Sequence, residues 1–354
     1  MGGEEGRSLL KTLPIVAPGT MLYEGLENVL RARTGALIVV SDSEQVLNMV
    51  GGGFIIDADF NPASLYELAK MDGAIILSAD AKKILRANAH LTPDPMIPTI
   101  ETGARHRTAE RVAVETGELV IAISQRRNVI TLYKGNERHM LREVGTILAK
   151  ANQALQTLGK YKSVLDQALI NLSALEFEDL VTLVDVCTVV QRGSMVSRIA
   201  QEIELYIYEL GSEGRLVNMQ LEELMFDVEA EEVLVLQDYL PDPEQVEKVR
   251  SELASWTYEE LLDLSAIARG MGFTGTSSLD ISVVPRGYRI MRKIPRLPQP
   301  VIENLVRRFK ELQNIVGATI EDLDEVEGIG EVRAKSIKDG LRRFREQVLL
   351  DRHI

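Results

Sequence analysis

Residues 103–111, GARHRTAER, concentrate cationic and hydrogen-bonding side chains in one short segment. The segment contains three arginines, one histidine and one threonine. An ordinary solvated helix face interleaves acids with bases, so this crowding indicates binding of a multiply charged anion. A charge-assisted bond from a guanidinium group to a phosphate oxygen is worth roughly 1.5–3 kcal/mol. The segment therefore predicts a site for a polyphosphate.

The element that must position these side chains is a helix. We predict a helix over residues 103–116, with Thr102 near its amino-terminal cap and Gly117 at its end. Residues 105–108 then lie where free N–H groups and the positive end of the helix dipole favour anions. The core-facing side would consist of Ala109, Val112, Ala113 and Thr116. The alternative is a solvated helix whose arginines pair with nearby acids, namely Glu101, Glu110 and Glu115.

Asp72 is the second candidate for chemistry. It follows a predicted helix, precedes the buried strand AIILSAD and is next to Gly73. A carboxylate at a strand end, beside a glycine that lets a ligand approach closely, suits a divalent cation bridging to phosphate. An Asp-Gly pair is also a common turn, so the pair alone leaves both interpretations open.

Three motifs in combination resemble the diadenylate cyclase domain: DGA at 72–74, RHRT at 105–108 and ISQRRN at 123–128. The whole chain resembles the DisA family of DNA integrity scanning proteins. This resemblance implies that two ATP molecules are joined into cyclic di-AMP with release of two pyrophosphates, with Mg²⁺ or Mn²⁺ as cofactor. It implies that Asp72 is catalytic, holds the metal and helps activate the ribose 3′-hydroxyl.

The resemblance also assigns residues to the nucleotide. Arg105, His106 and Arg107 would be catalytic and, with Thr108, would grip the triphosphate. The further nucleotide-binding residues would be Gly73, Leu91, Thr102, Gly103 and Ser124. We expect His106 to hydrogen-bond the leaving pyrophosphate, although an unperturbed pKa of about 6.5 would also allow it to protonate that group. The other histidines, His90, His139 and His353, are expected to be structural or solvated.

The surrounding patterns predict three segments. Residues 1–145 alternate helical and strand-like runs and predict an α/β nucleotide-binding domain, in which ELVIAIS and NVITLYKG form a strand pair. Residues 146–290 show heptad-like apolar spacing and predict an all-helical spine. The prolines of IPRLPQP introduce a small helical domain over residues 291–354.

The carboxyl-terminal segment contains VEGIGEVRAKSI at 326–337, which resembles a helix-hairpin-helix DNA-binding motif. Gly328 and Gly330 would let the backbone turn around a buried Ile329, and Arg333 and Lys335 would reinforce backbone N–H contacts with a DNA phosphate. The alternative is a tight turn between two helices. Residues 298–315 are a candidate for the degenerate partner of this motif.

The charge distribution agrees with a polyanion at this end. Residues 286–354 contain 15 Lys and Arg against 11 Asp and Glu, a net charge of +4 in a chain whose net charge is −13. No apolar run is long enough to span a membrane, and we expect a cytoplasmic protein that associates with the nucleoid when bound to DNA.

The product itself predicts assembly. Cyclic di-AMP has two equivalent halves, so two ATP-loaded domains facing each other about a twofold axis would carry out both transfers. The family resemblance extends the pair to an octamer and implies that branched DNA, such as a recombination junction, lowers cyclase output. A different class of function is a DNA-structure-binding scaffold that only senses ATP. A third is a nucleotidyltransferase that modifies DNA ends.

Overall fold

The computed structural model describes residue 9 and residues 12–274 and 278–352. Packing divides the chain into two compact units. The first consists of Met1–Gln153 and Ile203–Met219, and the second consists of Ala154–Glu202 and Gln220–Ile354. The expectation for His353 lies outside the described residues. The boundaries of the three predicted segments stay a prediction.

The first unit is built on one mixed sheet, in which the described residues form eight strands. Their order across the sheet is β2-β5-β4-β1-β6-β7-β8, and β3 also pairs with β5. Strands β1 and β4 are parallel, whereas the other pairs are antiparallel. The strands are β1 Ala36–Val40, β2 Val50–Gly51, β3 Phe54–Asp59, β4 Ala74–Leu77, β5 Lys83–Leu91, β6 Leu119–Ser124, β7 Val129–Lys134 and β8 Glu137–Met140.

Helices cover both faces of this sheet. They are α1 Met21–Arg31, α2 Glu44–Met49, α3 Pro62–Leu68 and α4 Ala104–Thr116. Strand β1 shows why both faces are apolar: Ile38 packs in the core that contains α1 and α3, while Val39 packs in the core that contains α2 and α4. Successive side chains of a strand point to opposite faces, so the run ALIVV is buried throughout.

Local signals explain where several elements begin and end. The Thr20 side chain accepts a hydrogen bond from the backbone N–H of Tyr23 and caps α1. Asn61 caps α3, in which Pro62 takes the first position. Strands β6 and β7 form the predicted antiparallel pair. Strands β2, β3, β5 and β8 were not predicted; β2 is only two residues long, β3 and β8 lack a clear apolar alternation, and the alternation in β5 is confined to its ANAHL part.

After β8 the described residues are mainly helical, and one isolated bridge pairs Thr182 with Ser282. The α/β domain, helical spine and small carboxyl-terminal helical domain of the predicted fold class are confirmed. Among the described residues, none of the helices combines the length and apolar character needed to span a bilayer. The helices are α5 Val144–Glu178, α6 Leu183–Leu210, α7 Arg215–Met225, α8 Val228–Tyr239, α9 Val246–Ser255, α10 Tyr258–Leu262, α11 Leu264–Gly270, α12 Tyr288–Arg292, α13 Gln299–Phe309, α14 Leu312–Gly317, α15 Ile320–Asp324 and α16 Glu331–Asp351. Short 3₁₀ turns occur at Leu13–Val16, Gly211–Gly214 and Pro243–Gln245.

A buried ion pair anchors the carboxyl-terminal helices within the second unit. The guanidinium group of Arg289 in α12 pairs with the carboxylate of Glu176 in α5, and both side chains are buried. The hydroxyl of Tyr239 donates a 2.7 Å hydrogen bond to the same carboxylate. Removing one partner of such a pair leaves an uncompensated buried charge, so the network fixes α12, from which the terminal domain continues.

Candidate active site and DNA-binding hairpin

A cleft of about 870 Å³ opens in the first unit at one edge of the sheet. Strand β4 begins there, while its antiparallel neighbour β5 ends there, and β6 ends beside the start of β1. The first turn of α4 reaches the same edge. The topology thus brings residues from five separate parts of the chain to one opening.

Nine of the ten residues predicted to bind the nucleotide line this cleft. They are Asp72, Gly73, Leu91, Thr102, Gly103, Arg105, His106, Thr108 and Ser124. Arg107 is exposed and is not among the lining residues. Helical geometry explains the difference, because Arg105 and Arg107 are two positions apart and cannot face the same direction.

Asp72 and Arg105 face each other across the cleft. Asp72 Oδ1 lies 3.9 Å from Arg105 Nη2, and the Asp72 side chain is fully exposed. Gly73 has a φ of +93°, and a Cβ at this position would lie 2.8 Å from the backbone oxygen of Ala89. Glycine is therefore required next to Asp72 for both its backbone conformation and the close approach of β5.

The amino terminus of α4 is open to an anion. The cap is Gly103, whose missing side chain cannot satisfy the N–H groups of the first turn, and Thr102 lies one residue earlier. The helix ends at Gly117, which is in the left-handed conformation as its predicted role requires. Ala109, Val112 and Ala113 are fully buried against the sheet, and Thr116 is half-buried.

The alternative of a solvated helix, in which the arginines pair with nearby acids, does not match the contacts that these acids make. Glu101 is buried, and its carboxylate pairs with Arg127 at 3.6 Å and with Arg138 at 3.1 Å. The Glu110 carboxylate accepts a hydrogen bond from Thr99, and that of Glu115 accepts one from the backbone N–H of Asp94 at 2.8 Å. These acids bind groups outside α4, which leaves Arg105 for the cleft.

A buried hydrogen-bonded chain lies behind the cleft. The hydroxyl of Tyr133 donates to Glu101 Oε1 at 2.8 Å, and His106 Nδ1 lies 2.9 Å from the same hydroxyl oxygen. Burial lowers the pKa of His106, and the guanidinium groups of Arg127, Arg138 and Arg105 lower it further against the opposing charge of Glu101. Burial acts to raise the pKa of Glu101, but the Tyr133 hydrogen bond and the Arg138 charge outweigh it and leave that pKa lowered.

Several cleft residues were not assigned to the site from the sequence, although three of them belong to the ISQRRN motif. Gln125, Arg126 and Arg127 line the opening from the connection between β6 and β7, and His90 lines it from β5. The two adjacent arginines of QRRN were the available signal, because a short hairpin connection rarely needs two cations. His90 is exposed, as expected for a solvated residue, yet it shares the cleft. His139 lies 3.4 Å from Glu209 Oε1, which fits a structural role.

The residues present fit a divalent cation that arrives with its nucleotide. No group of three or more His, Cys, Asp or Glu side chains within the described residues forms a metal cage. Mg²⁺ commonly binds one or two carboxylates and takes its other ligands from phosphates and water. A single exposed carboxylate at Asp72, in a cleft with an open helix amino terminus, matches that pattern.

The carboxyl-terminal motif forms a helix-hairpin-helix between α15 and α16. Gly328 has a φ of +86°, Ile329 is buried and Gly330 caps α16 without a side-chain hydrogen bond. Gly330 has a φ of −117° and no close neighbour, so the tight turn requires glycine at Gly328 only. Arg333 donates a hydrogen bond back to the Gly328 oxygen, and Lys335 pairs with Glu331 at 2.6 Å.

A second hairpin of the same form joins α12 to α13. Arg296 has a φ of +61°, Leu297 is buried and Pro298 caps α13, which repeats the pattern of Gly328, Ile329 and Gly330. The partner motif therefore begins before Pro298, earlier than the predicted range of 298–315. The reason for the error is that a non-glycine residue occupies the left-handed position, so the usual glycine signal is absent.

Three family models match successive parts of the chain. The nucleotide-binding model of the DisA bacterial checkpoint controller matches residues 23–138, its linker model matches residues 141–280, and a helix-hairpin-helix motif model matches residues 294–348. The chain is similar to the "DNA integrity scanning protein DisA" of Clostridium tetani, with 56% identity over 351 residues that cover 99% of this chain and 98% of the relative. The chain belongs to the DisA family.

Other relatives agree. The DisA protein of Symbiobacterium thermophilum is 59% identical over 353 residues, covering 99% of this chain and 100% of the relative. That of Carboxydothermus hydrogenoformans is 61% identical over 342 residues, covering 96% of this chain and 97% of the relative. The DisA nucleotide-binding domain is a diadenylate cyclase domain whose family uses divalent metal ions, and the helix-hairpin-helix domain is a DNA-binding domain.

Substitution of Gly35 tests whether the position of Arg105 in the cleft matters for activity. A Cβ at Gly35 would lie 2.4 Å from Arg105 Nη1 and 3.2 Å from the backbone oxygen of Ile123, so Gly35→Ala must move the guanidinium group and requires a small adjustment at Ile123. Because a displacement of about 1 Å in a positioning group can cost up to 10²-fold in rate, we expect cyclic di-AMP formation to fall roughly tenfold to a hundredfold. Product is measured by chromatography at saturating ATP, alongside thermal unfolding.

Gly145→Ala is the matched control, because a Cβ at Gly145 in α5 meets nothing within 4 Å. This variant should form product at the wild-type rate. A Gly35→Ala protein that turns over as fast as wild type would show that the observed position of Arg105 is unimportant.

Proposed function

We propose that the chain condenses two ATP molecules into cyclic di-AMP and two pyrophosphates, across a symmetric pair of cleft-bearing domains. The observation that carries this proposal is the shared cleft of Asp72 and the 105–108 segment, with 3.9 Å between Asp72 Oδ1 and Arg105 Nη2. A carboxylate and a cationic helix start on opposite sides of one opening suit a metal-bound triphosphate. The other residues that line the cleft suit the ribose and the adenine of ATP.

The triphosphate would bind at the start of α4. The uncapped N–H groups there offer hydrogen bonds and the positive end of the helix dipole. Arg105 adds a guanidinium group at the cleft, and Thr108 adds a hydroxyl. Arg126 lines the same opening and forms no ion pair with another described side chain. The combination supplies several charge-assisted bonds to phosphate oxygens.

Asp72 would hold the divalent cation, Mg²⁺ or Mn²⁺. When bound, that cation would supply positive charge to the phosphate oxygens and to the ribose 3′-hydroxyl. Asp72 is accessible for this role because its carboxylate is fully exposed, and its one ion-pair partner among the described residues is Arg105, at 3.9 Å. Gly73 would let the nucleotide lie against the backbone beside it.

The apolar part of the cleft would take the adenine. Leu91 and Ser124 end strands β5 and β6 at the opening, and Thr102 and Gly103 form the approach to α4. Small or branched side chains cover the wall between them, namely Leu37, Ala74, Ala89 and Ile123. Such a wall excludes water from one face of the base, while the strand ends leave backbone groups for hydrogen bonds.

Two copies would complete the reaction. Each 3′-oxygen attacks the α-phosphorus of the other nucleotide, and one cleft holds only half of this arrangement. Arg107 is exposed and does not line the cleft of its own copy, so it is available to the triphosphate in the facing copy. We propose a face-to-face dimer of cyclase domains within an octamer.

Asp72→Asn tests the assigned metal role. The substitution removes the charge but keeps the shape, so we expect product formation to fall at least about 100-fold, as for loss of a charge-stabilising group in phosphoryl transfer. Purified protein is incubated with ATP and Mg²⁺ or Mn²⁺, and the product is identified by mass. Mass also separates this function from the alternatives, since an ATP-sensing scaffold makes no product and an end-modifying transferase adds nucleotides to DNA.

Asp59→Asn is the control, because Asp59 is an exposed residue of β3 outside the cleft. It should retain full activity. Undiminished turnover by the Asp72→Asn variant, with the thermal transition intact, would refute the metal role.

The hairpin at residues 325–330 would bind a DNA phosphate through the N–H groups that begin α16. Gly330 exposes those groups, and Lys335 lies one turn further along the helix. The second hairpin is a weaker candidate because Pro298 and Pro300 lack N–H groups at the start of α13. These contacts reach the DNA backbone and not the base edges, which suits recognition of DNA shape.

Substitutions of the two members of the Lys335–Glu331 pair should change DNA affinity in opposite directions. Lys335→Ala should weaken DNA binding and lower the slope of log affinity against log salt by about 0.9, because one phosphate contact is lost. Glu331→Gln removes a carboxylate beside the phosphate and frees Lys335, so affinity should rise roughly threefold to tenfold. Fluorescence anisotropy over a salt series measures both.

Lys162→Ala and Asp166→Asn form the control, because these residues also make an i,i+4 ion pair at 2.9 Å but lie in α5. Neither should alter DNA affinity. If Lys335→Ala and Glu331→Gln both leave affinity unchanged, the DNA contact lies elsewhere.

We further propose that branched DNA, such as a recombination junction, is the preferred DNA and that its binding lowers cyclase output. Support comes from α5 and α6, which each contribute residues to both compact units and so provide continuous elements between the two activities. Localisation to the cytoplasm, with nucleoid association in the DNA-bound form, stays a prediction.

A comparison of DNA forms tests this coupling. Cyclic di-AMP formation is measured with a four-way junction and with a linear duplex of the same base composition, each at a concentration that saturates binding. We expect the junction to reduce the rate at least about fivefold more than the duplex, within the usual range of allosteric coupling. Equal rates with the two DNAs would remove the regulatory proposal and leave the cyclase activity unaffected.

A further inference from the structure

The hydrogen-bonded chain behind the cleft fixes the position of a proton on His106. Tyr133 has a single hydroxyl proton, and it donates that proton to Glu101 Oε1. Its oxygen can then only accept from His106 Nδ1, which lies 2.9 Å away. The ionised state of Glu101 is secured by the Tyr133 hydrogen bond and the Arg138 charge, which together outweigh burial and lower its pKa. Neutral His106 is therefore the Nδ1–H tautomer.

In this tautomer His106 Nε2 is an acceptor. That nitrogen is buried and has no hydrogen-bond partner among the described residues, although the side chain borders the cleft. A buried acceptor without a partner costs about 1–3 kcal/mol, which a bound ligand can recover. Phosphate oxygens are themselves acceptors, so neutral His106 cannot hydrogen-bond the leaving pyrophosphate as the sequence suggested. Its partner must carry a proton.

We propose that His106 Nε2 accepts the hydrogen bond of the ribose 3′-hydroxyl and takes its proton, while Tyr133 and Glu101 act as positioning residues that hold the required tautomer. This inference rests on the proposed cyclase function and names a base for it. The place in the fold favours the ribose over the adenine. His106 follows Arg105 in the first turn of α4, where the triphosphate is proposed to bind, and the ribose is the part of ATP that joins the phosphates and carries hydroxyl groups.

The step balances without a further reactant. The 3′-oxygen forms a bond to the α-phosphorus of the facing nucleotide, the bond from that phosphorus to the pyrophosphate oxygen breaks, and the hydroxyl proton moves to Nε2. The imidazolium ion that forms donates through Nδ1 to Tyr133 and is stabilised by the Glu101 carboxylate beyond it. A base held by a buried carboxylate in this way is a recurring arrangement in acid–base catalysis.

The charges around His106 keep it in the basic form. Burial and the guanidinium groups of Arg127, Arg138 and Arg105 lower its pKa, and Glu101 only partly opposes them. Burial and Glu101 raise the pKa of Tyr133 well above its usual value, so the phenol keeps its proton and does not become the base. At neutral pH the imidazole can therefore accept a proton but begins the reaction without one on Nε2.

The tautomer is tested directly by NMR. Full-length protein with ¹⁵N-labelled histidine is measured at neutral pH, and the His106 signals are assigned with His106→Asn. We expect a protonated Nδ1 and an unprotonated Nε2, with Tyr133→Phe producing a mixture of both tautomers. A protonated Nε2 in the wild-type protein would overturn the proposal whether or not any variant folds.

Kinetics test the consequence. Tyr133→Phe should lower kcat about tenfold or more, with the KM for ATP changed less than about threefold, because only part of the protein then has Nε2 as an acceptor and the imidazolium loses its hydrogen bond to Tyr133, while ATP binding is kept. Tyr66→Phe is the matched control, since Tyr66 is a partly buried tyrosine of the same unit outside the cleft. An unchanged kcat in Tyr133→Phe would overturn the positioning role. Absence of cyclic di-AMP with the wild-type protein would instead refute the proposed function.

The binding of two unreactive ATP analogues tests whether His106 Nε2 accepts a hydrogen bond from the 3′-hydroxyl. α,β-Methylene-ATP keeps the 3′-hydroxyl but cannot release pyrophosphate, and its 3′-deoxy counterpart lacks the hydroxyl. His106→Asn should weaken calorimetric binding of the first about fivefold to tenfold, as for one lost hydrogen bond, and leave binding of the second unchanged. Equal losses for both ligands would show that His106 does not contact the 3′-hydroxyl.

Discussion

The open amino terminus of α4 is the constraint on which the site depends. A glycine at the cap leaves the first-turn N–H groups without a side-chain partner, and this costs stability unless an anion binds there. The buried face formed by Ala109, Val112 and Ala113 recovers that cost through packing on the sheet. The same packing aims Arg105 at Asp72. The proposed anion site and the docking of the helix on the sheet thus both follow from one amphipathic segment.

Glu101 connects this helix to the other side of the opening. Its buried carboxylate binds Tyr133 in β7, Arg138 in β8 and Arg127 in the connection that precedes β7. A buried carboxylate with these partners is well compensated, because two guanidinium groups and a hydroxyl group share its charge. The wall that carries Arg126 and Arg127 is therefore held in place by the same group that orients His106.

Local sequence patterns were enough to predict the features that depend only on residues close together in the chain. The apolar spacing of α4, the glycine beside Asp72 and the hairpin glycine at Gly328 each follow from helical period or from a positive φ. The chain from Glu101 through Tyr133 to His106 could not be predicted, because its members are 27 and 32 residues apart and each looks ordinary alone. Its existence depends on β7 lying beneath α4, which only the sheet order determines. Arg296 was missed for the opposite reason, since it breaks the local rule for a left-handed residue.

The two hairpins of the terminal domain have a similar backbone conformation but differ in the N–H groups that they offer at the helix cap. Both place a buried aliphatic residue between a left-handed position and a helix cap, yet one cap is Gly330 and the other is Pro298. Since proline has no N–H group, the pair offers a phosphate one good set of donors, not two. The ion pair of Lys335 with Glu331 limits the contact further. In the proposed assembly, several copies acting on one DNA molecule would raise the affinity above that of one chain. An assembly that the cyclase reaction needs for its symmetry would also supply that multivalency.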